Sequence, residues 1–385
     1  MSVLAVVLLV VGLVGALTRP RGLPAWAMPA TAAAIALATG VVDVAEVRAA
    51  WRPLVAPLAF VAVAVPLAAS LDDVGIFREL AAFAARSRFV IGRCWILAAF
   101  VVALLNLDAA VVLLTPLYIH TALLVDVDPA ALAFQPVLLA SLASGVLPVS
   151  NLTNLLAASR LSLTNADFLR HLALPSVAAC VAGWCAYRAM FPVRACALQD
   201  AHVPDRRALS IGLGAIAMFL VLLVAGEAFG LPAWGAALAT EVALLGVTRR
   251  IPLRHVPVGT VAVAGALAVL ATGVVAALPS ALATLGAGGA RGFATGIVAS
   301  NALNNLPAVL IGLPHVTHVA AAWPLLLGVN LGPTLVLTGS LAGLLWHTSA
   351  RRAGVEIPAI RYSQVGFAVG VPAMLAAAAV LWAAG

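Results

Sequence analysis

Lysine is absent from this chain, and charge of either sign is scarce: charged residues make up 9% of 385 positions, against 64% hydrophobic. A soluble domain of this size must cover its core with a charged surface, and this composition cannot supply one. Apolar stretches near the twenty-residue spanning length recur along the chain, which predicts an all-α polytopic membrane protein. The net charge of +7 is carried by arginine alone. Those arginines stand singly or in short pairs between apolar segments, so they read as topology determinants rather than as a phosphate-binding face, and nucleic acid is excluded as a partner. Only four cysteines occur (Cys94, Cys180, Cys185, Cys196), with no paired metal-ligand spacing, and they read as small apolar fillers. Enzyme signatures are missing too: there is no G-x-S-x-G elbow, no H-E-x-x-H and no Walker-type loop. The expectation is a transporter without cofactor or metal, driven by an ion gradient or by a separate ATPase subunit. The apolar start, Met1 to Leu17, lacks a preceding basic region and reads as a retained first span.

Apolar length bounded by Pro, Gly and charge predicts spans at 2–17, 24–42 and 53–71, then an interfacial amphipathic helix at Asp73–Arg86. Arms at 89–105 and 109–124 follow, then 132–160 broken at Pro148–Asn154, then 174–191. Residues 193–207 form the most polar segment and read as a cytoplasmic linker between a first repeat, 1–192, and a second, 208–385. The second half predicts 209–229, 231–248 and 256–278, a Gly-rich stretch at Gly286–Gly292, and 294–312 around an Asn cluster. A segment 317–346 broken at Asn330–Pro333 and a last span, 364–383, complete it. If 89–124 and 294–314 are re-entrant hairpins, each half has five full spans, and the odd number makes the second half an inverted copy with broken helices at the midplane. On that topology sixteen arginines gather on one face and five (Arg48, Arg52, Arg160, Arg170, Arg291) on the other. The positive-inside bias then makes the first face cytoplasmic and puts both termini outside.

Broken, polar backbone inside a membrane persists only where it is buried in protein or lines a cavity. Asp108, at the first hairpin tip, is the first candidate for carrying a proton, and a helix cap is its structural alternative. Glu241, within a span, is the second proton-coupling candidate, with snorkelling towards Arg249 and Arg250 as the alternative; Glu227 and Asp167 read as interfacial. Asn106, Ser150, Asn151, Thr153 and Asn154 in the first half, with Ser300, Asn301, Asn304, Asn305, Asn330 and Ser340 in the second, are the substrate-binding candidates. Inter-helix hydrogen bonding is the alternative use of such amides. Pro148, Pro307 and Pro333 are expected to cause the breaks, and Gly332 and Gly339 to allow unusual backbone there. His315 and His318 read as surface loop residues.

The run from Asn330 through Gly332–Pro333, Thr338–Gly339–Ser340 and Trp346 to Arg351–Arg352 resembles the ArsB family of arsenite efflux permeases. So do Ser300 through Pro307, Asp108 through Thr115–Pro116, and Ser150 through Asn154, in the same order along both halves. That family belongs to a wider ion-transporter superfamily that also holds sodium/proton antiporters and dicarboxylate carriers, the alternatives for this scaffold. The resemblance implies two inverted repeats with re-entrant hairpins in the bacterial cytoplasmic membrane. It also implies export of arsenite or antimonite in exchange for protons, with Asp108 as the proton-linked carboxylate. An ArsA-type ATPase and a homodimer are the protein partners it brings into view. Leu107 departs from the Asn usual before that aspartate, and Thr334 and Val336–Leu337 depart from the usual Lys and Thr-Pro.

Overall fold

The computed structural model describes residues 2–87, 89–192, 204–249, 252–278 and 283–384, and every element among them is helical. Arg88, Arg194, Cys196 and Arg250, with residues 193–203 of the expected linker, lie outside the described residues. Six helices are long and apolar enough to cross a bilayer, at 44–74, 107–124, 165–190, 206–227, 258–277 and 359–383. Shorter apolar helices at 2–18, 27–38, 90–104, 129–142, 233–248 and 319–334 accompany them. The chain is thus a multi-pass membrane protein.

Several boundaries differ from the expectation, each for a local reason. The span expected to end at 71 runs on through both aspartates to Val74, and stops where Gly75 takes a φ of 93°. Only glycine adopts that backbone without a steric cost, so it also sets the start of the amphipathic helix Ile76–Ala85. A helix that hydropathy did not disclose, Val44–Trp51, is nucleated by a reciprocal cap: Asp43 accepts from the Glu46 amide and Glu46 accepts from the Asp43 amide.

The breaks are also displaced. The first helix stops at Leu142 and resumes at Leu152, so Asn154 lies inside the second piece rather than in the break. The other stops at Leu331 and resumes at Leu341, after two short 3-10 turns, so Asn330 lies inside the first piece. Pro307 breaks nothing, since it occupies the first turn of Asn305–Gly312, where its missing N–H has no intrahelical partner to lose. Gly332 has ordinary helical angles. What requires glycine there is space: a Cβ would stand 2.1 Å from Ser300 Oγ.

Each half holds a tightly turned helix pair, then a broken helix, then a closing helix, and the first half adds Val44–Trp51 and the amphipathic Ile76–Ala85 ahead of them. The packing crosses between the halves. Helices Ser2–Thr18 and Ala27–Ala38 pack on Val258–Ala277 of the second half, while Ala233–Thr248 packs on Val55–Val74 of the first. The closing helices Leu174–Met190 and Ala359–Ala384 pack on each other. Between these layers Trp346 Nε1 donates to the Ala133 carbonyl at 2.6 Å, and Tyr187 Oη to the Ala131 carbonyl at 2.7 Å. Both carbonyls belong to helix Pro129–Leu142 and flank Leu132, whose carbonyl Pro136 leaves without its i+4 donor.

Candidate functional site

Four helices begin within one small region, and each begins on a polar side chain that caps its own first turn. Asn106 Oδ1 accepts from the Asp108 amide at 2.9 Å, and Asn151 Oδ1 from the Thr153 amide at 3.2 Å. Asn304 Oδ1 accepts from the Leu306 amide at 3.3 Å, and Ser340 Oγ from the Gly343 amide at 3.2 Å. Two of these starts follow the tight turns at Leu105–Asn106 and Asn304, and two follow the broken-helix gaps. One cavity of about 70 Å³ gathers residues from all four: Asp108, Asn151, Thr153, Asn304, Asn305 and Ser340. A site holding one water needs roughly 10–15 Å³ on the same measure, so there is room for a small solute. Helix N-termini carry partial positive charge, on the order of half a unit each, and their free N–H groups suit oxygen ligands. Asp108 is the one carboxylate in the lining, and none of the described lining residues is basic.

The other candidates stand behind this surface. Asn330, from the second half, is engaged on three sides by the first: its Oδ1 accepts from Asn151 Nδ2 at 3.0 Å and Thr153 Oγ1 at 3.2 Å. Its Nδ2 donates to Asn154 Oδ1 at 2.8 Å. Asn154 Nδ2 and Ser150 Oγ satisfy the carbonyls of Ser144 and Leu147, which the helix break leaves free. Asn301 Nδ2 does the same for Gly332, Asn304 Nδ2 for Thr338, and Tyr362 Oη for Pro333. Ser300 Oγ turns back to the Ile297 carbonyl. Ser150, Asn154 and Asn301 are therefore placed to hold the broken backbone, Asn330 ties the side chains of the resuming helix together, Ser300 bonds within its own helix, and Asn151 and Thr153 both join Asn330 and line the cavity.

Three carboxylates settle elsewhere. Glu241 is buried in the contact between Ala233–Thr248 and Val55–Val74, where its Oε1 accepts from Ser70 Oγ at 2.8 Å. It does not line the cavity. Glu227 accepts from the backbone and side chain of Asn165, and Asp167 closes a capping box with Thr164. Buried polar atoms without a partner among the described residues include Asn106 Nδ2 and Asp108 Oδ1 at the first turn, Asn301 Oδ1 beside the second gap, and Glu241 Oε2 away from the cavity. Such atoms are costly unless a solute, a proton or water meets them.

The convergence of four N-termini escaped the sequence reading, although Asn or Ser directly before an apolar run is the available signal. Ser70, Ser144 and Thr338 escaped it as well, and so did the lining from Leu13, Leu17 and Thr260 on other helices and from Ala25 in a turn.

A family model described as "Citrate transporter" matches residues 3–338. The chain is 27% identical over 414 residues to an arsenical pump membrane protein of Yersinia enterocolitica, covering 97% of this chain and 96% of that protein. Similar proteins of the same description occur in Escherichia coli, 26% identical over 421 residues and 98% of each chain, and in Shigella flexneri, 28% identical over 431 residues and 98% of each.

Proposed function

The chain belongs to the citrate transporter family and is a membrane transporter rather than an enzyme; from that premise we propose that it exports arsenite or antimonite in exchange for protons. The observation that carries this reading is the convergence of four capped helix N-termini and one carboxylate on a small cavity without basic lining residues. Arsenous acid is a small neutral molecule with three hydroxyls. Its oxygens can accept from backbone N–H groups and amide donors, while its hydroxyls donate to Asp108 and to amide oxygens. A proton on Asp108 and a substrate hydroxyl compete for the same carboxylate oxygens, so loading one expels the other. Exchange follows from that competition. Glu241, sealed between two scaffold helices, is the second proton-coupling group of the proposal.

The inverted arrangement belongs to the same proposal. It puts the start of Arg206–Glu227 and the amphipathic helix on the cytoplasmic face, and the Asp205 amide donates to Glu79 Oε2 at 3.2 Å. It puts the end of Arg206–Glu227 and the start of the 165–190 helix outside, and Asn165 Nδ2 donates to Glu227 Oε2 at 2.9 Å. Both contacts support the pairing of faces. Leu17 and Ala25, which flank the Arg19–Arg21 turn, line the cavity on what this topology makes the cytoplasmic side. That placement suits a state ready to load substrate from within.

A second reading has its own observation. Four helix N-termini also favour a small carboxylate or other oxyanion. Against a tricarboxylate stand Asp108 in the lining and the lack of a basic group to offset repulsion. Uptake into everted vesicles with arsenite, sodium and citrate compared side by side separates these readings. Proton-driven arsenite accumulation that vanishes in Asp108→Asn is expected; arsenite indifference with citrate- or sodium-coupled movement would overturn the proposal.

A further inference from the structure

An apolar opening lies away from the site. It is a crevice of about 330 Å³ between helix Val90–Leu104 on one side and helices Val55–Val74 and Arg206–Glu227 on the other. Leu67, Phe77, Leu97, Val101 and Phe219 are among its walls, and Arg93 and Thr240 are its only lining residues with polar side chains. Its flank is open: Ile96 is 69% exposed, Phe100 51% and Leu213 49%, all on faces that point to the surrounding hydrocarbon in a membrane. An enclosed apolar cavity of roughly 150 Å³ stays dry and takes up small hydrocarbons, and the apolar walls of this crevice suit an acyl chain for the same reason.

One end of the crevice is basic. The Arg93 guanidinium donates to the Phe83 carbonyl at 3.2 Å and lies 4.8 Å from the Phe83 ring centre, leaving further N–H groups of its fork pointing elsewhere. Leu80 and Phe83 are shared with a second cavity of about 260 Å³, which Arg86 also lines. The acidic residue there, Glu79, accepts from the Asp205 amide. Two exposed arginines thus stand where an apolar slot between membrane helices meets the bilayer surface. Basic pockets between membrane helices suit anionic lipid head groups.

We propose that this crevice is a binding site for an anionic phospholipid, with one acyl chain between the Val90–Leu104 and Arg206–Glu227 helices and the phosphate at Arg93 and Arg86. Leu104 and Leu105 form the deep end of the slot, and Asn106, the cap of the Asp108 helix, is the next residue. The chain therefore lies against the arm that carries the first turn of the transport site. The proposal does not depend on which solute that site carries.

The test uses the full chain purified in a neutral detergent, with thermal unfolding followed as phosphatidylglycerol, phosphatidylcholine or glycerol 3-phosphate is titrated in. Phosphatidylglycerol should stabilise at the lowest concentration, and glycerol 3-phosphate should have no effect. Arg93→Gln and Arg86→Gln should each weaken the phosphatidylglycerol response roughly five-fold, bringing the double variant level with phosphatidylcholine. Ile96→Trp, on the exposed flank, should weaken the response to both lipids. Equal responses of the wild-type protein to the two phospholipids, or a preference that survives the double arginine variant, would overturn the proposal. The wild-type comparison stands even if a variant fails to fold.

Discussion

At the first tight turn, Leu105 and Asn106 separate two long helices, Val90–Leu104 and Leu107–Leu124, and Asn106 has an extended φ of −65°. At the second, Asn304 alone separates Gly289–Leu303 from the eight-residue helix Asn305–Gly312, with φ 76° and ψ 152°. That region is close to glycine-only, and holding a larger residue there costs on the order of 1–3 kcal/mol. The first turn is relaxed and carries a carboxylate; the second is strained and carries only amides. The strain is offset by what a glycine could not supply, namely a cap on Leu306 and a bond to the Thr338 carbonyl. Under the proposed exchange, the first turn holds the proton and the second holds a neutral surface against the solute.

The comparison can be broken most directly at Asp108. Asp108→Asn keeps the shape and the Asn106 cap, and proton-driven uptake should fall to the vesicle background while the unfolding temperature holds. Substantial residual coupled transport would erase the division of labour between the turns. The next largest effect concerns the bond between halves. Asn330→Ala leaves Asn151, Thr153 and Asn154 without their shared partner and should cost about 3 kcal/mol in detergent unfolding, with uptake reduced in step. Glu241→Gln can keep the Ser70 hydrogen bond, so stability should change little while the initial uptake rate drops several-fold; an unchanged rate would remove Glu241 from the coupling path. The smallest effect separates the two turns themselves. Asn106→Ala should cost about 1 kcal/mol for a lost cap. In Asn304→Gly, relief of strain and loss of the two bonds should nearly cancel, leaving stability within about 1 kcal/mol and uptake impaired. A large destabilisation there would show that Asn304 is not strained in the folded protein.

The polar clusters inside apolar runs were legible before any coordinates, because hydrocarbon leaves so few reasons for amides to occur in pairs. Cavity residues such as Asp108, Asn304 and Ser340 stood out on that ground. The division of roles among the amides was not legible. Asn151 and Asn330 are 179 positions apart and meet only because the halves interlock, and no local pattern encodes such a distance. The displaced gaps have a similar cause: Asn154 and Asn330 look like breakers but sit on helix faces turned towards each other. Val44–Trp51 was hidden by its modest hydropathy, although Asp43 and Glu46 carry its capping signature. For Glu241, a proton-coupling candidate, the structural alternative was a reach towards Arg249 and Arg250, whereas its partner Ser70 belongs to a helix of the other half.

The crossed packing has a consequence for how the chain is made. Helices Ser2–Thr18 and Ala27–Ala38 are synthesised ahead of the surface they cover, Val258–Ala277, which is built more than two hundred positions later. Until then the face of this pair that packs on Val258–Ala277 stays turned to lipid. The contact that joins these distant stretches of chain is therefore a closing stitch, made late in assembly.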